Sequence, residues 1–247
     1  MSTRNARREA VLMARSTQGV SVIGHQVVGQ RAHQEDSWAV GMLAAGGAWA
    51  VVADGLGGHR DGKAASQTAV DAITQHIQRT LPPIGDMAWM LAGINQADAA
   101  VHALALPHEN TPPATTLLWA VADARRVWIA HIGDSRAYLV HGHTVTPLTV
   151  DMTPAGDRVA RGEAAWDSQN TAPDAHILHT CVGIPPVAVD AFSEAWMPGD
   201  SLVITSDGLN PIPLAEWAHV VKWANPLRVL DQASWHDNAT LAILQNA

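Results

Sequence analysis

Helical periodicity in this chain comes in adjacent pairs and never alternates with strands. Apolar residues recur at i, i+4 spacing from about 62 to 80 (Ala69, Ile73, Ile77), and Leu81-Pro82-Pro83 closes that segment. A second helix is predicted at about 86–106, with Met87, Met90, Leu91, Ile94, Val101 and Leu104 on one side. Two more are predicted at about 213–224 and 225–234. Everything else with a clear period reads as strand: 20–28, 37–43, 48–53, 115–121, 126–132, 136–140, 144–148, 188–196, 201–206 and 239–245. Ala45-Gly46-Gly47 joins the second and third of these as a hairpin. Strands, a helix pair, strands, a helix pair and a strand exclude regular βαβ alternation. The order predicts an α+β fold of antiparallel sheets with helices segregated outside. Residues 149–175 are polar, proline-dotted and weakly periodic, an excursion from the core.

Charge separates the N-terminus from the rest. Residues 1–15 carry four arginines against Glu9, and the remaining residues are net −11. So acidic a body excludes a nucleic-acid partner, which requires a basic surface. Residues 1–17 read as a flexible basic tail and 18–247 as one domain. The lone Cys181 excludes an intramolecular disulfide framework. No apolar run approaches the roughly 18 residues that span a bilayer, and the N-terminus lacks a secretory h-region. These features predict a cytoplasmic protein with no membrane association. Ten tryptophans sit against one Tyr and one Phe; Trp49, Trp89, Trp119 and Trp128 lie in periodic apolar segments and are expected in the core.

Acidic residues recur at the strand ends. Glu35 and Asp36 precede the strand at 37–43; Asp54 ends AVVA and precedes Gly55; Asp134 follows WIAHIG; Asp207 ends LVITS and precedes Gly208; Asp237 opens the last strand. One Asp-Gly pair is ordinarily a turn. Five such sites are hard to ascribe to turns, and carboxylates that converge at one rim repel unless a cation neutralises them. Oxygen donors without a Cys/His cluster select a hard divalent ion such as Mg²⁺ or Mn²⁺.

RAHQED (31–36), VVADGLGGHRDGKAAS (51–66), ATTLL (114–118), HIGDSRAYL (131–139), TSDGL (205–209) and DNATLAIL (237–244) then occur in one fixed order. With these motifs the chain resembles the type 2C metal-dependent protein phosphatases over roughly 20–245. It is similar to bacterial members, with DGLGGH where eukaryotic members have DGH. The resemblance implies a four-layer αββα sandwich of two antiparallel sheets flanked by helix pairs, with a flap at about 149–177. It implies a serine/threonine phosphatase that uses two or three Mn²⁺ or Mg²⁺ ions and the direct attack of a metal-bridging hydroxide. Asp54 would bridge two ions, the Gly55 carbonyl would ligate one, and Asp207 and Asp237 would complete the other's shell. Glu35 and Asp36 would hold metal-bound waters, Asp134 would serve a third, weaker ion, and Arg31 would grip the phosphate. Gly57, Gly58 and Gly62 would be structural, as would Ser66, Ser135 and Ser206. Substrates would be phosphorylated proteins, made by a cognate Ser/Thr kinase, and the enzyme a monomer in signalling.

Some positions depart from the family pattern. Gln34 stands where Asn is usual, Leu56 where eukaryotic members carry a general-acid His, and Met152 opens the flap where His, Asp or Ser is common. His33 and His59 lie near the site in sequence. The alternative reading is a non-catalytic phosphoprotein-binding relative.

Overall fold

The computed structural model describes residues 12–15, 19–56, 60–80, 85–106, 112–223, 225–231 and 235–247. Two antiparallel sheets stack face to face. One runs Leu12–Arg15, Val20–Val27, Ala239–Asn246, Ser201–Thr205, Arg136–His141, Thr144–Pro147. The other runs Asp190–Ala195, Arg126–Ile132, Leu117–Ala122, Ala48–Ala53, Ser37–Met42. A two-residue ladder of Gly55–Leu56 with Ala114–Thr115 extends the second sheet at its rim.

The strand at 48–53 is buried on both faces, and its period of two divides it between two cores. Ala48, Ala50 and Val52 face the partner sheet, where they meet Val22, Leu202, Ile204 and Leu244. Trp49, Val51 and Ala53 face helices α1 (Arg60–Arg79) and α2 (Met87–His102). The α1 residues Ala65, Ala69, Ile73 and Ile77 pack there against Met90, Ile94 and Ala97 of α2. Asp86 caps α2 by accepting hydrogen bonds from the Ala88 and Trp89 amides. Trp49 and Trp119 are buried in this layer, with Trp89 and Trp128 packed against it, as expected. The sandwich and its flanking layers agree with the expected fold class.

The second helical layer is thinner than the sequence suggests. In place of helices at 213–224 and 225–234 there are 3₁₀ turns at Leu214–Glu216 and Pro226–Val229 and a single α-turn, Trp217–Val220. Pro213 and Pro226 punctuate the segment, and Asn225 caps the second turn through the Leu227 amide. Trp217, Val220, Leu227 and Leu230 still cover the outer face of the first sheet. Leu12–Arg15, expected in the tail, is instead an edge strand on Val20–Val27; the rest of residues 1–17 falls outside the described residues. Among the described residues, no helix is long and apolar enough to cross a membrane.

Candidate active site

Sheet direction brings the acids together. The strand at 37–42 pairs antiparallel with 48–53, Ser37 opposite Ala53, so Glu35-Asp36 and Asp54 share one rim. Two antiparallel steps across the sheet, 126–132 runs in the same sense as 48–53, and Asp134 follows it. In the other sheet Thr205 lies opposite Leu241, which puts Asp207 and Asp237 at neighbouring ends.

The carboxyl groups of Asp54 and Asp207 lie within hydrogen-bond reach of each other. Burial, then Asp36 and Asp207, holds the Asp54 carboxyl well above the ordinary carboxylate range. Burial also raises Asp134, with Asp207 and Asp151 adding to it. Asp207 is raised by burial and by Asp237, against the Asp54 hydrogen bond. Burial raises Asp36, although Thr240 and Ser206 donate to its Oδ2 at 2.6 and 2.7 Å. Each acid is thus disfavoured as an anion by its surroundings and its neighbours, which added cations would reverse.

Oxygen supply fits divalent ions. Asp207 Oδ1 and Asp36 Oδ1 are buried and have no hydrogen-bond partner among the described residues. As the side chains stand, no group of three or more His, Cys, Asp or Glu among the described residues is placed to hold a metal ion. Asp237 is turned instead to Arg31, which donates to its Oδ2, while its Oδ1 accepts from the Asn238 amide. Arg31 is half exposed; its guanidinium is held above its usual value by Asp237, with Asp207 and Glu35 contributing.

The loops carrying these acids are braced by residues that the sequence does not single out. Asn238 uses its whole carboxamide: Oδ1 accepts from the Glu35 amide at 2.7 Å, and Nδ2 donates to the carbonyls of Val28 and His33. Lys63 Nζ donates to the Asp36 carbonyl at 2.7 Å and to Ser37 Oγ at 2.8 Å. Thr115 and Thr116 side chains hold the Asp54 carbonyl and amide. Their only sequence signal is membership of motifs quoted for other residues. Ser66 donates to the Glu35 carbonyl, Ser206 to Asp36, and Ser135 lies 3.0 Å from Thr116 Oγ1, so the three serines act as braces.

The glycines serve backbone contact. A Cβ on Gly55 would sit 2.1 Å from the Gly62 carbonyl oxygen and 2.8 Å from that of Glu35. One on Gly208 would sit 1.9 Å from the Asn238 carbonyl oxygen. Gly57, Gly58 and His59 lie outside the described residues. Of the departures, Gln34 Oε1 accepts the Asp36 amide at 3.1 Å, and Leu56 pairs with Ala114 in the rim ladder. Met152 is fastened to the Asp134 turn: its amide donates to the Gly133 carbonyl, and its Sδ accepts the Gly133 amide. His33 is exposed.

A family model described as protein phosphatase 2C matches residues 23–244. The serine/threonine phosphatase stp of Listeria monocytogenes serovar 1/2a is 30% identical over 198 residues, covering 78% of this chain and 79% of that one. The Streptococcus agalactiae serine/threonine phosphatase superposes with a TM-score of 0.81 at 25% identity, over 92% of this chain and all of that one. The catalytic domain of the serine/threonine protein phosphatase PstP, in complex with two manganese ions, superposes at 0.76 and 25% identity, over 92% and 97%.

Proposed function

The chain belongs to the protein phosphatase 2C family, and from that premise we propose that it is a metal-dependent phosphatase of phosphoserine and phosphothreonine in proteins. One observation carries the reading: four strand-end aspartates, 54, 134, 207 and 237, gather at one rim with Arg31 beside them. Asp54, the Gly55 carbonyl, Asp207 and Asp237 would hold two divalent ions, Mn²⁺ or Mg²⁺. Glu35 and Asp36 would orient water at them, and Asp134 would hold a third. When bound, such ions supply Lewis-acid charge and lower the pKa of a coordinated water.

The chain's own residues supply the rest. Arg31 swings from Asp237 to the substrate, where its fork suits two phosphoryl oxygens. Charge there stabilises the phosphoryl group as it transfers in line to water. Asn238, Lys63 and Thr240 fix the carboxylate-bearing loops, so that binding requires little rearrangement of backbone. The 149–177 segment serves as a flap beside the site. Substrates are phosphorylated proteins, products of a Ser/Thr kinase, and the enzyme acts as a monomer.

The test is phosphate release from a phosphothreonine peptide with and without Mn²⁺. Release that needs Mn²⁺, is lost in Asp207→Asn and is weakened in Arg31→Ala supports the reading. Tight peptide binding without release at millimolar Mn²⁺ would favour a non-catalytic phosphoprotein-binding relative.

A further inference from the structure

The 149–177 excursion leaves a cavity of about 230 Å³ beside the acidic rim. Asp134 and Asp207 line it from the rim, Gln169 and Asn170 from the excursion, and Asn210 from the turn after Asp207; the exposed His176 completes it. At ~30 Å³ per water it has room for about eight waters, or one long side chain.

Its walls are fixed in advance. Arg136 donates from Nε and Nη2 to the two oxygens of Asp151, each at 2.7 Å, and from Nη1 to Asn170 Oδ1. Asn170 Nδ2 donates to the Asn210 carbonyl, and Gln169 Oε1 accepts the Asp151 amide. These groups are satisfied by one another and leave little for a ligand. Two oxygens are not: Asn210 Oδ1 is buried with no partner among the described residues, and so is Asp207 Oδ1.

Charge decides what the cavity takes. Arg136 neutralises Asp151, and the ions proposed above would neutralise Asp207. Asp134 remains, half-buried, and the Arg136 charge that acts on it is already paired with Asp151. We propose that this cavity seats a lysine or arginine side chain of the substrate, close in sequence to the phosphorylated residue, with Asp134 as its counter-charge and the Asn210 carboxamide as an acceptor. The proposal rests on the phosphatase reading and adds a substrate preference to it. The net charge of −8 favours approach of a basic segment. A third divalent ion on Asp134 and the basic side chain would exclude each other.

The experiment compares phosphothreonine peptides that carry Arg, Ala or Glu at each flanking position in turn, at the lowest Mn²⁺ that supports turnover. At one position the Arg peptide is expected to show KM about five-fold below the Ala peptide, the scale of one partly exposed ion pair, with kcat unchanged. The Arg/Ala ratio of kcat/KM should fall towards one as Mn²⁺ is raised. It should also fall in Asp134→Asn and, independently, in Asn210→Ala. Wild-type turnover of p-nitrophenyl phosphate, which has no flanking residue, tests the phosphatase reading separately. Turnover of that compound together with equal KM values for all peptides overturns the cavity assignment alone. No Mn²⁺-dependent turnover of any substrate overturns the underlying reading, and the assignment with it.

Discussion

Asp54 and Asp207, 153 positions apart in the sequence, place their carboxyl groups within hydrogen-bond reach at the half-buried rim of the sandwich. Burial disfavours both anions, and at Asp54 the charges of Asp36 and Asp207 add to it, so in the absence of cations an ionised Asp54 opposes folding. Asp54→Asn removes one charge and keeps a hydrogen-bonding side chain. In EDTA at pH 8, Asp54→Asn should therefore melt higher than the wild type, by about 2–4 °C for each kcal/mol of repulsion relieved. Scanning calorimetry of both proteins checks this; a lower melting temperature for the variant would show that the pair is not repulsive.

Arg136 and Asp151 form the opposite kind of pair, both buried and joined by two hydrogen bonds. Removing one partner leaves the other's charge uncompensated. Arg136→Met or Asp151→Leu alone should cost about 3–5 kcal/mol, and the two together should cost less than the singles summed. Urea unfolding of the four proteins measures the coupling. Strict additivity would mean the pair contributes no coupling to the fold.

Gly55 is held between the backbones of Gly62 and Glu35, neither of which is the end of a flexible side chain. Gly55→Ala should lower stability by about 1–3 kcal/mol through overpacking, with an unchanged m-value. It should also separate α1 from the Glu35-Asp36 loop and weaken Mn²⁺ binding. A variant as stable as the wild type would contradict the packing role.

His131 is fully buried on the strand that leads to Asp134, and neither ring nitrogen makes a hydrogen bond of normal geometry among the described residues. Burial lowers its pKa to about 4, with the backbone of Ser135 and Gly133 opposing. The unfolded chain holds this proton at about 6.5, so between those values the unfolded state binds more protons. Its contribution is complete above about pH 6.5 and is lost as pH falls towards 4, by about 3 kcal/mol. His131→Asn should flatten the fall in stability over that window, read from urea midpoints in EDTA. Parallel curves for the two proteins would remove His131 as a cause.

Much of this was legible in the sequence wherever a period or a motif was local. AWAVVA reads as a strand because both of its faces are apolar, and α1 because Ala69, Ile73 and Ile77 repeat. The apolar spacing of Leu214, Trp217 and Val221 imitates a helix, yet Pro213, Asn225 and Pro226 divide the segment into turns. Leu12–Arg15 reads as tail because its pairing to Val20–Val27 is a backbone matter that no side-chain pattern reports. In the site, the acids announce themselves at the strand ends. Their supports do not: Asn238 meets Glu35 across 203 positions, and Thr240 meets Asp36 across 204. Met152, an apolar substitution in sequence, becomes an acceptor only because the Gly133 turn lies against it.

Every role proposed for this rim of carboxylates requires that it bind divalent cations. Calorimetric titration of the EDTA-treated, dialysed protein with Mn²⁺ tests it most directly. Binding of at least two ions per chain, abolished or reduced to one in Asp54→Asn while the variant remains folded, is the predicted result. No binding by wild-type protein, or identical binding by Asp54→Asn, would contradict it.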